Sequence, residues 1–157
     1  WKYSELAIAY VTGAIFRSFL VAVGIILSVV FFIDIQVYSL PALMGFFITG
    51  TITFASLGII AALWAEQFDH IGIFNTFFLT PLSMLGGVFY SISVLPETFQ
   101  RLTLFNPVFH LVDGFRYGMI GLSDYNVWNS LLISVILAIF SFGLTVYLMN
   151  RGWKVKE

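Results

Sequence analysis

The 157 residues are 60% hydrophobic and 10% charged, carry a net charge of −1 and include no cysteine. Soluble domains carry about a quarter charged residues, so this composition predicts a membrane protein. The near-zero charge excludes the basic field that nucleic-acid binding needs, and the missing thiols exclude a disulfide framework, a thiolate metal site and a cysteine nucleophile.

Spans of about 20 residues predict a single all-α transmembrane domain over 1–157, a polytopic bundle of four helices with no room for a separate soluble domain. The chain opens on Trp1, without a charged leader or a cleavage pattern, so an N-terminal part is expected to lie outside it.

Charges should mark the span ends, because an ionised side chain at the bilayer centre costs about 2.5 to 3.5 kcal/mol. The first span is expected over about 11–33, after an interfacial lead with Lys2 and Glu5; Asp34 closes it. Arg17, near its start, is expected to snorkel toward the headgroups. Ala14, Ser18 and Ala22 place small side chains on one face, where another helix can approach.

Pro41 suits the first turn of a second span over about 42–64, in which Gly58 and Ala62 repeat the small-residue step. Thr49, Thr51 and Thr53 are expected to bond their own preceding carbonyls rather than line a polar path. A short polar turn over 66–70 makes the second and third spans antiparallel neighbours, with Glu66, Asp69 and His70 solvated.

The third span, about 72–90, should kink at Pro81 and break or pack closely at Gly86 and Gly87. The fourth, about 125–149, is expected to be capped by Ser123 or Asp124 and anchored by Tyr125, Trp128 and Trp153. Lys2, Arg17, Arg151, Lys154 and Lys156 then share one side and Arg101 and Arg116 the other, which predicts that both ends are cytoplasmic.

The connection over 91–124 is too long for a tight turn and too hydrophobic for a free loop. Two short helices are expected in it. Pro96 begins one over about 96–104, with Glu97 paired to Arg101; Asn106 caps the other, about 107–119, with Pro107 at its first position. Neither can span, so the pair reads as a re-entrant or interfacial hairpin shielded by protein or facing a watery cavity.

Asp113, Arg116 and Tyr117 share one side of the second short helix, with His110 one turn earlier. An ion pair between Asp113 and Arg116 that eases the helix into the interface is the economical reading. An intramembrane enzyme using His110 and Asp113 lacks a clear third convergent group.

Pro81 and Leu82, then Gly87, Phe89 and Tyr90, then Leu95, Pro96 and Gln100, then Asn106 and Pro107, and finally Arg116, Tyr117 and Gly118 stand in an order that closely resembles the C-terminal signature of ABC-2 type permeases. The resemblance implies six spans with cytoplasmic termini, of which the first two precede this chain. It also implies a second permease copy and a separate ATP-binding cassette ATPase that carries ATP and magnesium, with no cofactor on this chain. The chain holds no phosphate-binding G-x-x-x-x-G-K-[ST] loop, so it is not expected to be an enzyme.

On this reading Pro81, Gly86, Gly87, Phe89, Tyr90, Pro96, Asn106, Pro107, Asp113, Arg116 and Tyr117 belong to an outer gate. Glu5, Arg17, Glu66 and Asp69 belong to the cytoplasmic coupling region. The expected activity is export of a drug, glycolipid or polysaccharide across a bacterial inner membrane. A secondary transporter or channel without an ATPase is the alternative, although the spans hold few of the midplane charges it would use.

Overall fold

The computed structural model describes residues 2–65, 68–88 and 90–151. Trp1, Glu66, Phe89, Trp153, Lys154 and Lys156, all named above, lie outside the described residues. The helices in chain order are α1 (Tyr3–Val29), α2 (Leu40–Trp64), α3 (Phe68–Phe74), α4 (Thr80–Leu85), α5 (Glu97–Thr103), α6 (Pro107–Ile120) and α7 (Val127–Asn150), and the described residues contain no strand.

Three of these helices, α1, α2 and α7, are long and apolar enough to cross a membrane. Their runs of Leu, Ile, Phe and Ala suit lipid, and the α-helical hydrogen bonds satisfy the backbone internally, as a lipid-facing segment must. Helix α1 starts earlier than the charges suggested, because the Glu5 carboxylate accepts the Lys2 N–H at 3.4 Å and so supports the first turn. Arg17 consequently sits in the middle of α1, and it is exposed.

The third hydrophobic stretch is helical from 68 to 85 but not continuously α. A π-turn over Asn75–Leu79 separates α3 from α4. Pro81 offers no N–H, and its ring excludes the carbonyl four residues back. One wider turn relieves this, and both the Thr80 N–H and Thr80 Oγ1 (3.1 Å) reach the Asn75 carbonyl. The expected kink at Pro81 is therefore a π-turn, and helix ends at Leu85 rather than near Tyr90.

Helices α2, α6 and α7 form the core. Gly45 lies against Leu131, and Thr145 Oγ1 donates to the Ser56 carbonyl at 3.2 Å, so α2 and α7 run parallel. Ser130, Ser134, Ala138, Ser141, Thr145 and Met149 form the buried face of α7. Small side chains let the backbones approach where lipid supplies no hydrophobic drive.

Helix α1 runs antiparallel and packs through Ala7 and Val11. Small residues of α1 and α2 border an open crevice, with Ala14 facing Ala55, Gly58 and Ala62 across it, and nothing lies within 4 Å of a Cβ built at Gly58. The α2 threonines behave as expected: Thr49, Thr51 and Thr53 donate to the carbonyls of Gly45, Phe47 and Thr49 at 2.8 to 2.9 Å.

Leu6 of α1, Leu63 of α2 and Met149 of α7 border one crevice, so the start of α1 and the end of α7 share one end of the bundle. The polar connections around α6 lie at the other.

Candidate functional site

The site is built on the break after α4. Gly86 N–H turns back to the Ser83 carbonyl, and Gly87 takes φ +79, a left-handed conformation that glycine adopts without a Cβ penalty. The break strands two carbonyls, and α6 answers both. Asn106 Nδ2 donates to Leu82 O at 2.8 Å, and Arg116 Nη2 donates to Gly87 O at 2.7 Å. Asn106 also caps α6, its Oδ1 accepting the Val108 N–H at 3.0 Å with Pro107 in the first turn.

Arg116 and Asp113 are not an ion pair. Arg116 Nη1 meets Asp124 Oδ2 at 3.0 Å, and Asp113 turns to the backbone instead, accepting the N–H groups of Asp124 (2.7 Å) and Tyr125 (3.3 Å). The α6–α7 turn brings Asp124 over Arg116, whereas Asp113 points inward and is 1% exposed. Asp124 also accepts Ser91 Oγ at 2.8 Å and the Ile92 N–H at 3.3 Å. With Asp124 so engaged, the cap of α7 is Asn126, whose Oδ1 accepts from Trp128 and Asn129, rather than Ser123 or Asp124.

Burial pushes the Asp113 carboxyl above the ordinary carboxylate range. The two backbone N–H groups oppose this; the nearby Asp124 charge adds to it and Arg116 subtracts from it.

His110 is buried as well. Nε2 lies 2.7 Å from the Leu104 carbonyl, which can only accept, so Nε2 carries a proton, and Nδ1 is hydrogen-bonded to Ser130 Oγ at 3.1 Å. His110 thus struts the α5–α6 link against α7. Its ring also meets Tyr125 edge to face at 5.6 Å.

Tyr117 packs edge to face on Tyr38 at 5.4 Å, and the N–H groups of Tyr38 and Ser39 donate to the Gly118 carbonyl at 2.9 and 3.0 Å. The α1–α2 linker is thereby fixed to the end of α6. A Cβ at Gly114 would overlap the Phe46 ring, and one at Gly118 would lie 2.9 Å from Leu43 Cβ. These two glycines set how closely α6 lies on α2.

Of the expected gate residues, Gly87, Asp113 and Arg116 join through Asp124 in one hydrogen-bonded network, and Asn106 forms a separate bridge from Leu82 O to the start of α6. Gly86 touches it through Val108, Pro81 sits one turn before the break, and Pro96 is the residue just before α5, where Glu97 and Arg101 form an exposed ion pair. Tyr90 lines a crevice between α4 and α5.

Glu5 and Asp69 are exposed. Arg17 lies twelve residues beyond Glu5 on α1, about 18 Å along the axis. His70, expected to be solvated, is half-buried with its ring 5.7 Å from that of Trp64. Sequence reasoning passed over Ser91 and Gly114, and saw Asp124 only as a cap. A lone Asp before a helix reads as a cap first, and the contact that makes Asp124 a hub spans 33 residues.

Residues 1–120 match the sequence profile of the ABC-2 type transporter family, and the chain belongs to that family. It is similar to the inner membrane transport permease YadH of Escherichia coli (strain K12), 32% identical over 143 residues, which cover 91% of this chain and 56% of that protein. It is also similar to nodulation protein J of Rhizobium leguminosarum bv. viciae, 31% identical over 114 residues, covering 73% of this chain and 42% of the relative. The chain spans about half the length of these relatives. No solved structure matches it at a comparable level of significance.

Proposed function

We propose that this chain is part of the membrane permease of an ATP-driven exporter, which moves an amphiphile such as a drug, glycolipid or polysaccharide out across a bacterial inner membrane. The observation that carries the reading is the two-ended bundle of an ABC-2 family member. One end holds the start of α1 and the end of α7; the other holds Asn106 and the network of Asp113, Arg116 and Asp124.

In this reading residues 68–85 are the third span, bent by the π-turn, and α5 and α6 are the hairpin of an outer gate. The start of α1 and the end of α7 face the cytoplasm. Glu5 and Asp69 lie on the side driven by a separate ATP-binding cassette ATPase. ATP and magnesium stay on that partner, and a second permease copy completes the pathway.

Closure of the ATPase dimer pushes the cytoplasmic ends together, and the outer network carries that motion to the hairpin. The test is the full-length permease reconstituted with its cognate ATPase. Export should depend on ATP, and Arg116→Ala should lower it while basal ATP hydrolysis persists. Failure to form the complex or to couple transport overturns the reading, and transport driven by an ion gradient without any ATPase would replace it with a secondary transporter.

A further inference from the structure

Between α4 and α5 lies a crevice of about 410 Å³, walled by Leu82, Leu85, Leu95, Phe99, Leu102 and Phe105. Its size falls within the range of about 300 to 1,000 Å³ usual for small-molecule sites. Thr103 and Asn106 also reach it, but their polar atoms are already committed. Thr103 Oγ1 donates to Phe99 O at 2.8 Å, and Asn106 bonds Leu82 O and the Val108 N–H. The crevice is thus walled mainly by hydrocarbon.

A smaller cleft adjoins it, sharing Leu102 and Phe105 and bordered by Glu97, Thr98 and Arg101. Glu97 and Arg101 are held by an exposed pairing along one short helix, the weakest class of ion pair, so both charges can exchange partners. Phe105, which borders both clefts, is 86% exposed, and Val94, the chain neighbour of the wall residue Leu95, is 78% exposed. A hydrocarbon slot thus opens beside one positive and one negative group.

We propose that the two clefts together seat one zwitterionic phospholipid of the surrounding bilayer. An acyl chain fills the α4–α5 crevice, the phosphate meets Arg101, and the ammonium meets Glu97. The charges select the headgroup: an anionic lipid without an ammonium would leave Glu97 facing a second negative charge. The assignment rests on the reading above that α5 lies at the membrane interface.

The test uses the full-length permease with Val94→Cys as its one labelled cysteine, carrying a fluorophore beside the crevice, in vesicles of phosphatidylethanolamine or phosphatidylglycerol with a nitroxide at mid-chain. Quenching should be stronger in phosphatidylethanolamine. Arg101→Gln should weaken quenching by both lipids, and Glu97→Gln should reduce the preference about two- to fivefold, the range of exposed ion pairs. Leu85→Trp, which fills the crevice, should abolish it; if that variant fails to insert, the two charge variants carry the test.

Equal quenching by both lipids, a preference indifferent to Glu97→Gln, or quenching indifferent to Arg101→Gln overturns the site. Absence of quenching in either vesicle would mean that protein covers the crevice, and overturns it too. ATP-dependent export read in the same vesicles separates the two proposals: export without lipid preference removes the lipid site alone, and lipid preference without export removes the exporter reading alone.

Discussion

Arg116 and Asp124 meet at 3.0 Å across the α6–α7 turn, with about a quarter of the arginine and a fifth of the aspartate side chain exposed. Each also holds a third segment, Arg116 through Gly87 and Asp124 through Ser91 and Ile92. Removing one partner leaves the other charge poorly satisfied. Arg116→Ala and Asp124→Ala should therefore each cost about 1 to 3 kcal/mol. The double variant should cost clearly less than the sum of the two, measured by thermal unfolding of the detergent-solubilised full-length protein. Full additivity would show that the pair is not a coupled unit.

Asp113 gives a pH dependence of defined sign. Burial favours its neutral form, so its folded pKa lies above the ordinary value of about 3.9. The folded state keeps this proton to higher pH than the unfolded chain does. Its contribution to stability is complete below the unfolded pKa and is lost as pH rises through the folded pKa. Asp113→Asn, which cannot ionise and keeps a carbonyl to accept the Asp124 N–H, should lack that slope. Unfolding midpoints of the two proteins should diverge as pH is raised from about 4 toward 7, and parallel curves would contradict the assignment.

The helical architecture was legible because apolar runs of span length have few alternatives in lipid. The breaks were legible because Pro81, Gly86, Gly87, Asn106 and Pro107 each have one strong local effect. The partners were not legible. Helical spacing put Asp113 beside Arg116, yet the α6–α7 turn gave Arg116 to Asp124 and left Asp113 to backbone donors. The hydroxyl-lined face of α7 was equally hidden, since Ser and Thr in an apolar run look the same whether they face lipid or α2.

Gly114 provides a steric test. Gly114→Ala must displace the Phe46 ring or push α6 off α2, an overpacking that costs about 1 to 3 kcal/mol. Phe46→Leu in the same chain should recover part of the loss in unfolding temperature. No rescue would mean that another contact limits the approach.

Asn106 serves two helices with one side chain, so its variants should separate the roles. Asn106→Asp keeps the cap on Val108 but loses the donor to Leu82, whereas Asn106→Ala loses both. The alanine variant should cost about 1 to 3 kcal/mol and the aspartate variant less. Hydrogen exchange should report fraying only at the end of α4 for Asn106→Asp, and fraying at the start of α6 as well for Asn106→Ala. Identical exchange patterns in the two variants would remove the double role.

The π-turn over Asn75–Leu79 also sets a phase. Each α-helical residue advances about 100° around the axis, and a π-turn takes up one residue more than an α-turn for the same rise. Everything from Thr80 onward is therefore rotated relative to α3 by about one residue's step. The faces that α4 presents to α5 and α6 are not those a heptad count from Phe68 would assign. Losing one residue from this turn would restore an uninterrupted α-helical count on both sides of it, whereas losing one residue from α4 would turn Leu82 and Leu85 away from their partners.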